Sequence, residues 1–161
     1  MGLEIERKFL LAGEEWRSLV TDSQHFCQGY LCADKKRAVR VRIAADKAFL
    51  TIKASGSGLA RLEFEYPLSV EDARMILEQI AEKPLVEKIR HNVPYGALLW
   101  EVDEFLGLNK GLLLAEVELQ REDQAIEKPL WAGEEVSADP RYYSANLVKN
   151  PYQNWGTGTK V

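Results

Sequence analysis

Residue types that commonly build zinc and disulfide sites are scarce in this chain. Its 161 residues include two cysteines and two histidines. Cys27 and Cys32 fall in one predicted strand with their side chains on opposite faces, so a disulfide would require the strand to bend. His25 and His91 are isolated from each other and from the cysteines along the chain. We therefore expect two reduced thiols and no zinc site.

Long apolar runs and an excess of positive charge are also missing. No apolar run approaches the ~18 residues of a membrane helix, and Glu, Arg and Lys stand near the N-terminus where a signal peptide needs apolar residues. The formal net charge of −4 argues against a general nucleic-acid binder. These absences predict a soluble, cytoplasmic protein with neither a membrane nor a nucleic-acid partner.

The length of 161 residues favours one domain. We assign residues 1–155 to it and treat residues 156–161 as a tail, because they show no apolar periodicity. The sequence leaves the oligomeric state open, a homodimer included.

Most of the chain alternates polar and apolar residues with the period of two that is typical of strands. Short turn-like links favour antiparallel neighbours. The predicted fold is mainly β within the α+β class, with eight strands near Leu3–Leu11, His25–Cys32, Arg37–Ile43, Ala48–Ala54, Arg61–Leu68, Val86–Val93, Leu98–Phe105 and Leu113–Arg121.

Helical spacing appears between the fifth and sixth strands. Ser69 is suited to cap a helix that presents Ala73, Leu77 and other apolar residues on one face and ends before Pro84. Shorter helices are predicted after Gly13, carrying Trp16, Leu19 and Val20 inward, and after Asp139-Pro140. The segment Ser55–Gly58 reads as a flexible loop.

Charged side chains occupy one face of strand after strand. A solvated face is the more frequent explanation for any single strand, but like charges placed close together repel unless a ligand lies between them. The recurrence of same-sign pairs therefore favours a binding role. The cations are Lys8, Arg40, Arg42, Lys53, Lys88 and Arg90, and the carboxylates are Glu4, Glu6, Glu63, Glu65, Glu101, Asp103, Glu116 and Glu118.

Eight antiparallel strands can close into a barrel with room for one small ligand. The charged faces would then line a tunnel, and amphipathic helices would cover the apolar outer faces. Arg and Lys bind phosphoryl oxygens, whereas clustered Glu and Asp favour hard cations such as Mg²⁺ or Mn²⁺. The sequence therefore predicts a polyphosphate bound together with a divalent cation.

The run Glu4-Ile5-Glu6-Arg7-Lys8 matches the Glu-x-Glu-x-Lys signature of the CYTH, or triphosphate tunnel metalloenzyme, family. The resemblance extends from Gly2 to about Trp155 through motifs in the same order. These are Gln28-Gly-Tyr30-Leu31, Val39-Arg-Val-Arg42, Thr51-Ile-Lys53, Arg61-Leu-Glu-Phe-Glu65, Glu87-Lys-Ile-Arg90, Trp100-Glu-Val-Asp103, Ala115-Glu-Val-Glu118 and Tyr143-Ser-Ala-Asn-Leu147.

The resemblance implies a closed antiparallel tunnel barrel that hydrolyses a triphosphate, most simply inorganic tripolyphosphate to pyrophosphate and phosphate, with Mg²⁺ or Mn²⁺. It makes Lys8 and Tyr30 a catalytic pair. By the same resemblance Lys8, Arg40, Arg42, Lys53, Lys88 and Arg90 bind phosphate, and Glu4, Glu6, Glu63, Glu65, Glu116 and Glu118 hold the metal. Glu101 and Asp103 are either metal ligands or partners of a nearby Arg.

Other activities remain open at this stage. A related branch of the family implies adenylate cyclase activity, and thiamine or nucleoside triphosphates are further substrates to consider. Nothing in the sequence assigns a nucleobase contact to Trp100, Trp131, Phe105 or Asn109. A binding module that captures polyphosphate or nucleotide without turnover is the alternative outside the enzymes.

Overall fold

Nine strands make up the sheet in the computed structural model, which describes residues 2–54 and 58–156. Eight of them confirm the predicted strands, although β2 begins three residues earlier and β8 ends at Glu118. The strands are β1 (Leu3–Leu11), β2 (Asp22–Ala33), β3 (Arg37–Ala44), β4 (Lys47–Ala54), β5 (Ala60–Leu68), β6 (Val86–Tyr95), β7 (Leu98–Phe105), β8 (Leu113–Glu118) and β9 (Ala132–Glu135).

The first eight strands close into an antiparallel barrel, as predicted. The order runs β5-β4-β3-β2-β6-β7-β8-β1, and β1 then returns to β5. This closure is short, because β1 pairs with β5 only through Leu3, Glu4 and Ile5. Farther along the same edge β1 pairs with β9, through Phe9 and Leu11.

The ninth strand was not predicted. Its four residues, Ala132–Glu135, show no apolar alternation, and it joins the sheet through the backbone of β1. The Arg7 guanidinium donates from Nε and Nη2 to the two carboxylate oxygens of Glu135, at 2.9 and 2.7 Å. This paired hydrogen bond fastens β9 to the outer side of β1.

Helices are few and short. The helix α1 (Val70–Gln79) begins where predicted, since the Ser69 hydroxyl accepts a hydrogen bond from the Asp72 amide. The helix α2 (Ser144–Lys149) follows a 3₁₀ turn that spans Pro140–Tyr142. The segment after Gly13 forms a 3₁₀ helix, Glu15–Leu19, that buries Trp16. The expectation that Leu19 also points inward is wrong, because its side chain is exposed.

Helices and loops cover parts of the apolar outer surface of the barrel. Ala73 and Leu77 of α1 pack on Val41 and Ala48. Elsewhere Trp16 and Trp131, from segments outside the barrel strands, pack in a cluster with Phe9, Trp100 and Val117. The outer face of β5 stays open, with Leu62, Phe64 and Tyr66 exposed. No helix in the described ranges is both long enough and apolar enough to cross a membrane.

Both cysteines are free, as predicted. The predicted flexible loop lies outside the described residues apart from Gly58, and the predicted tail lies outside them apart from Gly156.

Candidate active site

One large cavity occupies the barrel interior and gathers almost every predicted site residue. Its volume is about 720 Å³. Alternation on the strands places one charged face of each strand toward it. The lining includes the predicted cations Lys8, Arg40, Arg42, Lys53, Lys88 and Arg90, the predicted carboxylates Glu4, Glu6, Glu63, Glu65, Glu101, Glu116 and Glu118, and Tyr30. Asp103 lies behind this lining and is fully buried.

Asp103 is the partner of two lumen cations. Its carboxylate accepts hydrogen bonds from Lys88 Nζ at 2.7 Å and from Arg90 Nε and Nη2 at 2.8 and 2.9 Å. Although burial opposes ionisation, the charges of Arg90 and Lys88 hold the pKa of Asp103 below its usual value. Glu101 also contacts Arg90, at 3.4 Å. Of the two roles open for Asp103 and Glu101, the observed contacts are those of partners for Arg90.

Carboxylates from β1, β5 and β8 meet at another part of the lumen. Lys53 Nζ lies 2.9 Å from Glu4 Oε1 and 3.2 Å from Glu63 Oε2. Glu6 carries the strongest conflict, because burial and the charges of Glu116 and Glu4 raise its pKa to about 7. Near neutral pH this carboxyl is therefore partly protonated when no cation is bound.

Lys8 is held at a fixed position in the lumen. Its Nζ donates to the Tyr142 backbone carbonyl at 3.3 Å and lies 3.6 Å from Glu116 Oε2. The aromatic ring recorded beside it is Tyr143, with Nζ 5.9 Å from the ring centroid. Tyr30 lines the same cavity but forms no hydrogen bond with Lys8, and its ring packs in an apolar cluster. The structure brings the predicted catalytic pair into one cavity without linking its members.

Two lumen arginines have unused hydrogen-bond donors. The Nε–H groups of Arg40 and Arg42 are buried and find no acceptor among the described residues. Arg40 reaches the Thr51 hydroxyl at 3.4 Å, and Arg42 lies 3.8 Å from Glu65. Buried donors are almost always paired in native proteins, so these two mark a place for an acceptor.

Phe26 lies in the barrel interior behind the cavity lining, and the charge pattern did not reveal it. Its ring centroid lies 4.6 Å from Arg42 Cζ, 5.2 Å from Arg90 Cζ and 5.8 Å from Lys88 Nζ. An aromatic face attracts cations without neutralising them. Strand alternation places Phe26 on the same face of β2 as Tyr30. A search limited to charged residues could not select it, however.

Arg61 is a further lumen residue that the charge pattern missed. It lines the large cavity and shares its face of β5 with Glu63 and Glu65. The alternation in the Arg61-Leu-Glu-Phe-Glu65 motif already predicted that these three side chains share a face. Arg61 was left out because the search was for same-sign pairs.

The donor set suits a hard divalent cation. The candidate ligands are all carboxylate oxygens; Glu4, Glu6 and Glu116 repel one another in the lumen, and Glu4 also repels Glu63. As placed, no group of three or more His, Cys, Asp or Glu side chains in residues 2–54 and 58–156 stands at ligand spacing. The donors are thus suited to the cation by their chemistry, although they are not spaced around a common centre. In this structure they form ion pairs with Lys53, Lys8 and Arg90 instead.

The chain is similar to known proteins over most of its length. The CYTH domain model matches residues 2–152. An inorganic triphosphatase of Acetivibrio thermocellus is 48% identical over 155 residues, which cover 96% of this chain and 99% of that protein. An inorganic triphosphatase of Nitrosomonas europaea is 40% identical, covering 90% and 96%. The crystal structure of an inorganic triphosphatase superposes with a TM-score of 0.63 and 34% identity, covering 90% and 93%. The chain thus belongs to the CYTH domain family.

Proposed function

We propose that this protein hydrolyses inorganic triphosphate to pyrophosphate and phosphate with the help of a divalent cation. One observation carries the proposal: a single cavity of about 720 Å³ combines six predicted phosphate-binding cations with six predicted metal-binding carboxylates. The two sets are paired with each other only in part, because the buried Nε–H groups of Arg40 and Arg42 have no acceptor in the described structure. The names of the two similar bacterial triphosphatases support the same activity.

The chain's own residues supply binding and charge compensation, which are most of what phosphoryl transfer requires. Arg40 and Arg42 of β3 and Lys53 of β4 hold phosphoryl oxygens. Lys88 and Arg90 of β6, which Asp103 fixes in place, hold them as well. Lys8 is anchored by the Tyr142 carbonyl and directs its remaining donors into the cavity. With Tyr30 it is the catalytic pair that we propose.

The carboxylates are the proposed cation site. Glu4, Glu6, Glu63, Glu65, Glu116 and Glu118 would hold Mg²⁺ or Mn²⁺, and all six line the cavity. A bound cation would offset charge on the phosphoryl oxygens and orient water. It would also offset the charges of Glu116 and Glu4, which add to the effect of burial in raising the pKa of Glu6. We propose that this activity operates in the cytoplasm, where free thiols such as those of Cys27 and Cys32 persist.

The geometry favours inorganic triphosphate over a nucleotide. Trp100, Trp131 and Phe105 are buried in the packing of the barrel wall, and Asn109 accepts a hydrogen bond from the Tyr152 amide. None of these four residues lines the large cavity. These four residues, to which the sequence assigned no nucleobase contact, therefore have structural roles.

A substrate panel tests the proposal. Purified protein is incubated with Mg²⁺ or Mn²⁺ and with tripolyphosphate, ATP or thiamine triphosphate, and products are quantified by ³¹P NMR. We expect equal amounts of pyrophosphate and phosphate from tripolyphosphate. Cyclic AMP from ATP would instead establish a cyclase, and tight binding without turnover or metal dependence would establish a binding module.

Matched variants test the residues. Glu4→Gln and Lys8→Gln should lower kcat/KM at least about a hundredfold, because each removes a charge from the lumen. Glu134→Gln and Lys47→Gln make the same changes on the exposed surface and should leave activity near that of the wild type. Folding of each variant is checked by circular dichroism. Full activity in the lumen variants would refute the site.

A further inference from the structure

A second, smaller cavity opens through the barrel wall beside the large one. It measures about 130 Å³ and is lined by Glu6, Lys8, Gly58, Leu59, Arg61, Ser137 and Tyr143. Four of these residues, Glu6, Lys8, Arg61 and Tyr143, also line the large cavity. The two spaces are thus neighbours with a shared wall of side chains. We call the smaller one the side cavity.

The side cavity exists because β1 changes partners along one edge. Pairing with β5 stops at Ile5, and β5 itself begins at Ala60. On the same edge the Lys8 amide donates to the Ser137 hydroxyl at 2.9 Å, just beyond the end of β9. Within residues 2–54 and 58–156, no strand therefore pairs with this edge of β1 between the last β5 contact and Ser137.

The cations at this interruption exceed the carboxylates. The lining of the side cavity contains two basic residues, Lys8 and Arg61, and one acidic residue, Glu6. The Arg61 guanidinium forms no ion pair or hydrogen bond with the described part of the chain, unlike Lys53, Lys88 and Arg90, which are paired with carboxylates. A guanidinium with five free donors next to an ammonium group is suited to a phosphoryl dianion.

The two cations are aligned on one aromatic ring. Arg61 Cζ lies 5.8 Å and Lys8 Nζ 5.9 Å from the centroid of Tyr143. The Tyr143 hydroxyl donates to the Ser137 carbonyl at 3.2 Å, which fixes the ring at the edge of the opening. Contact with one fixed ring keeps both charges at the boundary between the two cavities.

We propose that Lys8 and Arg61 form an orthophosphate subsite at the side cavity, separate from the sites that hold the remaining two phosphoryl groups. The inference rests on the proposed function, which yields one orthophosphate and one pyrophosphate per turnover. The side cavity has room for the one-phosphorus product, and the much larger lumen, with Arg40, Arg42, Lys53, Lys88 and Arg90, retains the other. Arg61 then binds the orthophosphate product and does not contribute to the affinity for pyrophosphate.

Double inhibition tests whether the two products occupy different sites, without any mutation. Tripolyphosphate hydrolysis is measured at fixed free Mg²⁺ across a grid of orthophosphate and pyrophosphate concentrations. Simultaneous occupancy gives intersecting lines in a plot of reciprocal rate against one inhibitor at several levels of the other. Parallel lines, which mean mutually exclusive binding, would overturn the proposal.

Arg61→Gln tests the residue. We expect the inhibition constant of orthophosphate to rise about tenfold or more, as for loss of a charge-assisted hydrogen bond, while that of pyrophosphate changes less than about twofold. Arg61→Lys, which keeps the charge, should restore most of the orthophosphate affinity. The control Arg74→Gln removes an exposed charge from α1 and should change neither constant. A parallel rise of both constants, or no change in either, would contradict a separate subsite.

Calorimetry separates this inference from the proposed function. If the wild type does not hydrolyse tripolyphosphate, the proposed function fails, and inorganic phosphate is titrated into the wild type, Arg61→Gln and Arg74→Gln. Loss of binding in Arg61→Gln alone supports the subsite. Equal binding by the three proteins, or none by the wild type, refutes it.

Discussion

Arg90 and Asp103 face each other across neighbouring strands and form a two-pronged ion pair, with Nε–Oδ1 and Nη2–Oδ2 distances of 2.8 and 2.9 Å. Asp103 is fully buried. The register of β6 and β7 pairs these residues directly, so the backbone sets the geometry of the side chains. Lys88, two residues before Arg90, completes the group from the same strand face.

Removing the Asp103 carboxylate should destabilise the fold as well as the site. Asp103→Ala leaves Lys88 and Arg90 buried beside a cavity without their main counter-charge, which typically costs about 3–5 kcal/mol. We expect the free energy of unfolding, measured by urea titration, to fall by that amount. Asp123→Ala is the control, because Asp123 forms an exposed pair with Arg121 that should contribute less than about 1 kcal/mol. Similar losses in both variants would contradict the special role of Asp103.

Glu6 should make stability depend on pH when no divalent cation is present. Its pKa is about 7 in the folded protein and near the ordinary 4.5 in the unfolded chain. Between these values the folded state binds more protons, so the Glu6 contribution falls as pH rises from about 4.5 through 7 and levels off near pH 8. In the presence of a chelator, we expect Glu6→Gln to exceed the wild type by less than about 1 kcal/mol at pH 5 and by roughly 3 kcal/mol at pH 8.

The exposed residue Glu134 supplies the control for this titration. Glu134→Gln should differ from the wild type by a constant amount across the same pH range, because Glu134 lies on the surface. Urea unfolding at four pH values from 5 to 8 gives the comparison. A difference between Glu6→Gln and the wild type that does not vary with pH would show that Glu6 is ionised throughout.

Most of the barrel could be predicted from the sequence, because the alternation that marks a strand is a local pattern. Alternation along each strand sufficed to place Glu4, Arg40 and Glu116 on one lumen face, and all three line the cavity. The pairing of β1 with β9 could not be predicted, because the four residues of β9 show no apolar alternation and join the sheet through backbone hydrogen bonds to β1. The side cavity follows from that pairing and was equally hidden.

The partners of individual charges were also beyond the sequence. Strand alternation correctly placed Lys8 and Tyr30 in the same lumen. The direction of each side chain depends on packing, however, and the aromatic ring next to Lys8 is that of Tyr143. Phe26, by contrast, was not selected at all. It is an apolar residue on a charged strand face, and three cations lie close to its ring.

Phe26 should act as a positioning residue for these cations. Phe26→Leu keeps an apolar side chain but removes the ring face that contacts Arg42 and Arg90. We expect KM for tripolyphosphate to rise about 3- to 30-fold, in keeping with cation–π energies, and kcat to change less. The control Phe64→Leu alters an exposed ring on the outer face of β5 and should leave KM unchanged. An unchanged KM in Phe26→Leu would remove Phe26 from the site.

Gly29 should be required for close packing of the segment after α1 against β2. A Cβ at this position would lie 2.7 Å from Leu85 Cδ2, 2.9 Å from Ala81 Cβ and 3.0 Å from Leu77 Cδ2. The leucines can rotate, but Ala81 has no rotamer that moves its Cβ, so the segment must shift away from the strand. We expect Gly29→Ala to lower the free energy of unfolding by about 1–3 kcal/mol.

The control for Gly29 is Gly13→Ala. The three heavy atoms nearest to a Cβ at Gly13 would all belong to the carboxylate of Glu15, an exposed and flexible side chain that can turn aside. Its effect on stability should stay within about 0.5 kcal/mol. Because Gly29 stands between Gln28, whose Cα partner on β3 is Arg42, and Tyr30, whose partner is Arg40, the shift should also reach the lumen. We therefore expect Gly29→Ala, and not Gly13→Ala, to raise KM for tripolyphosphate, and equal stability of the two variants would refute the packing argument.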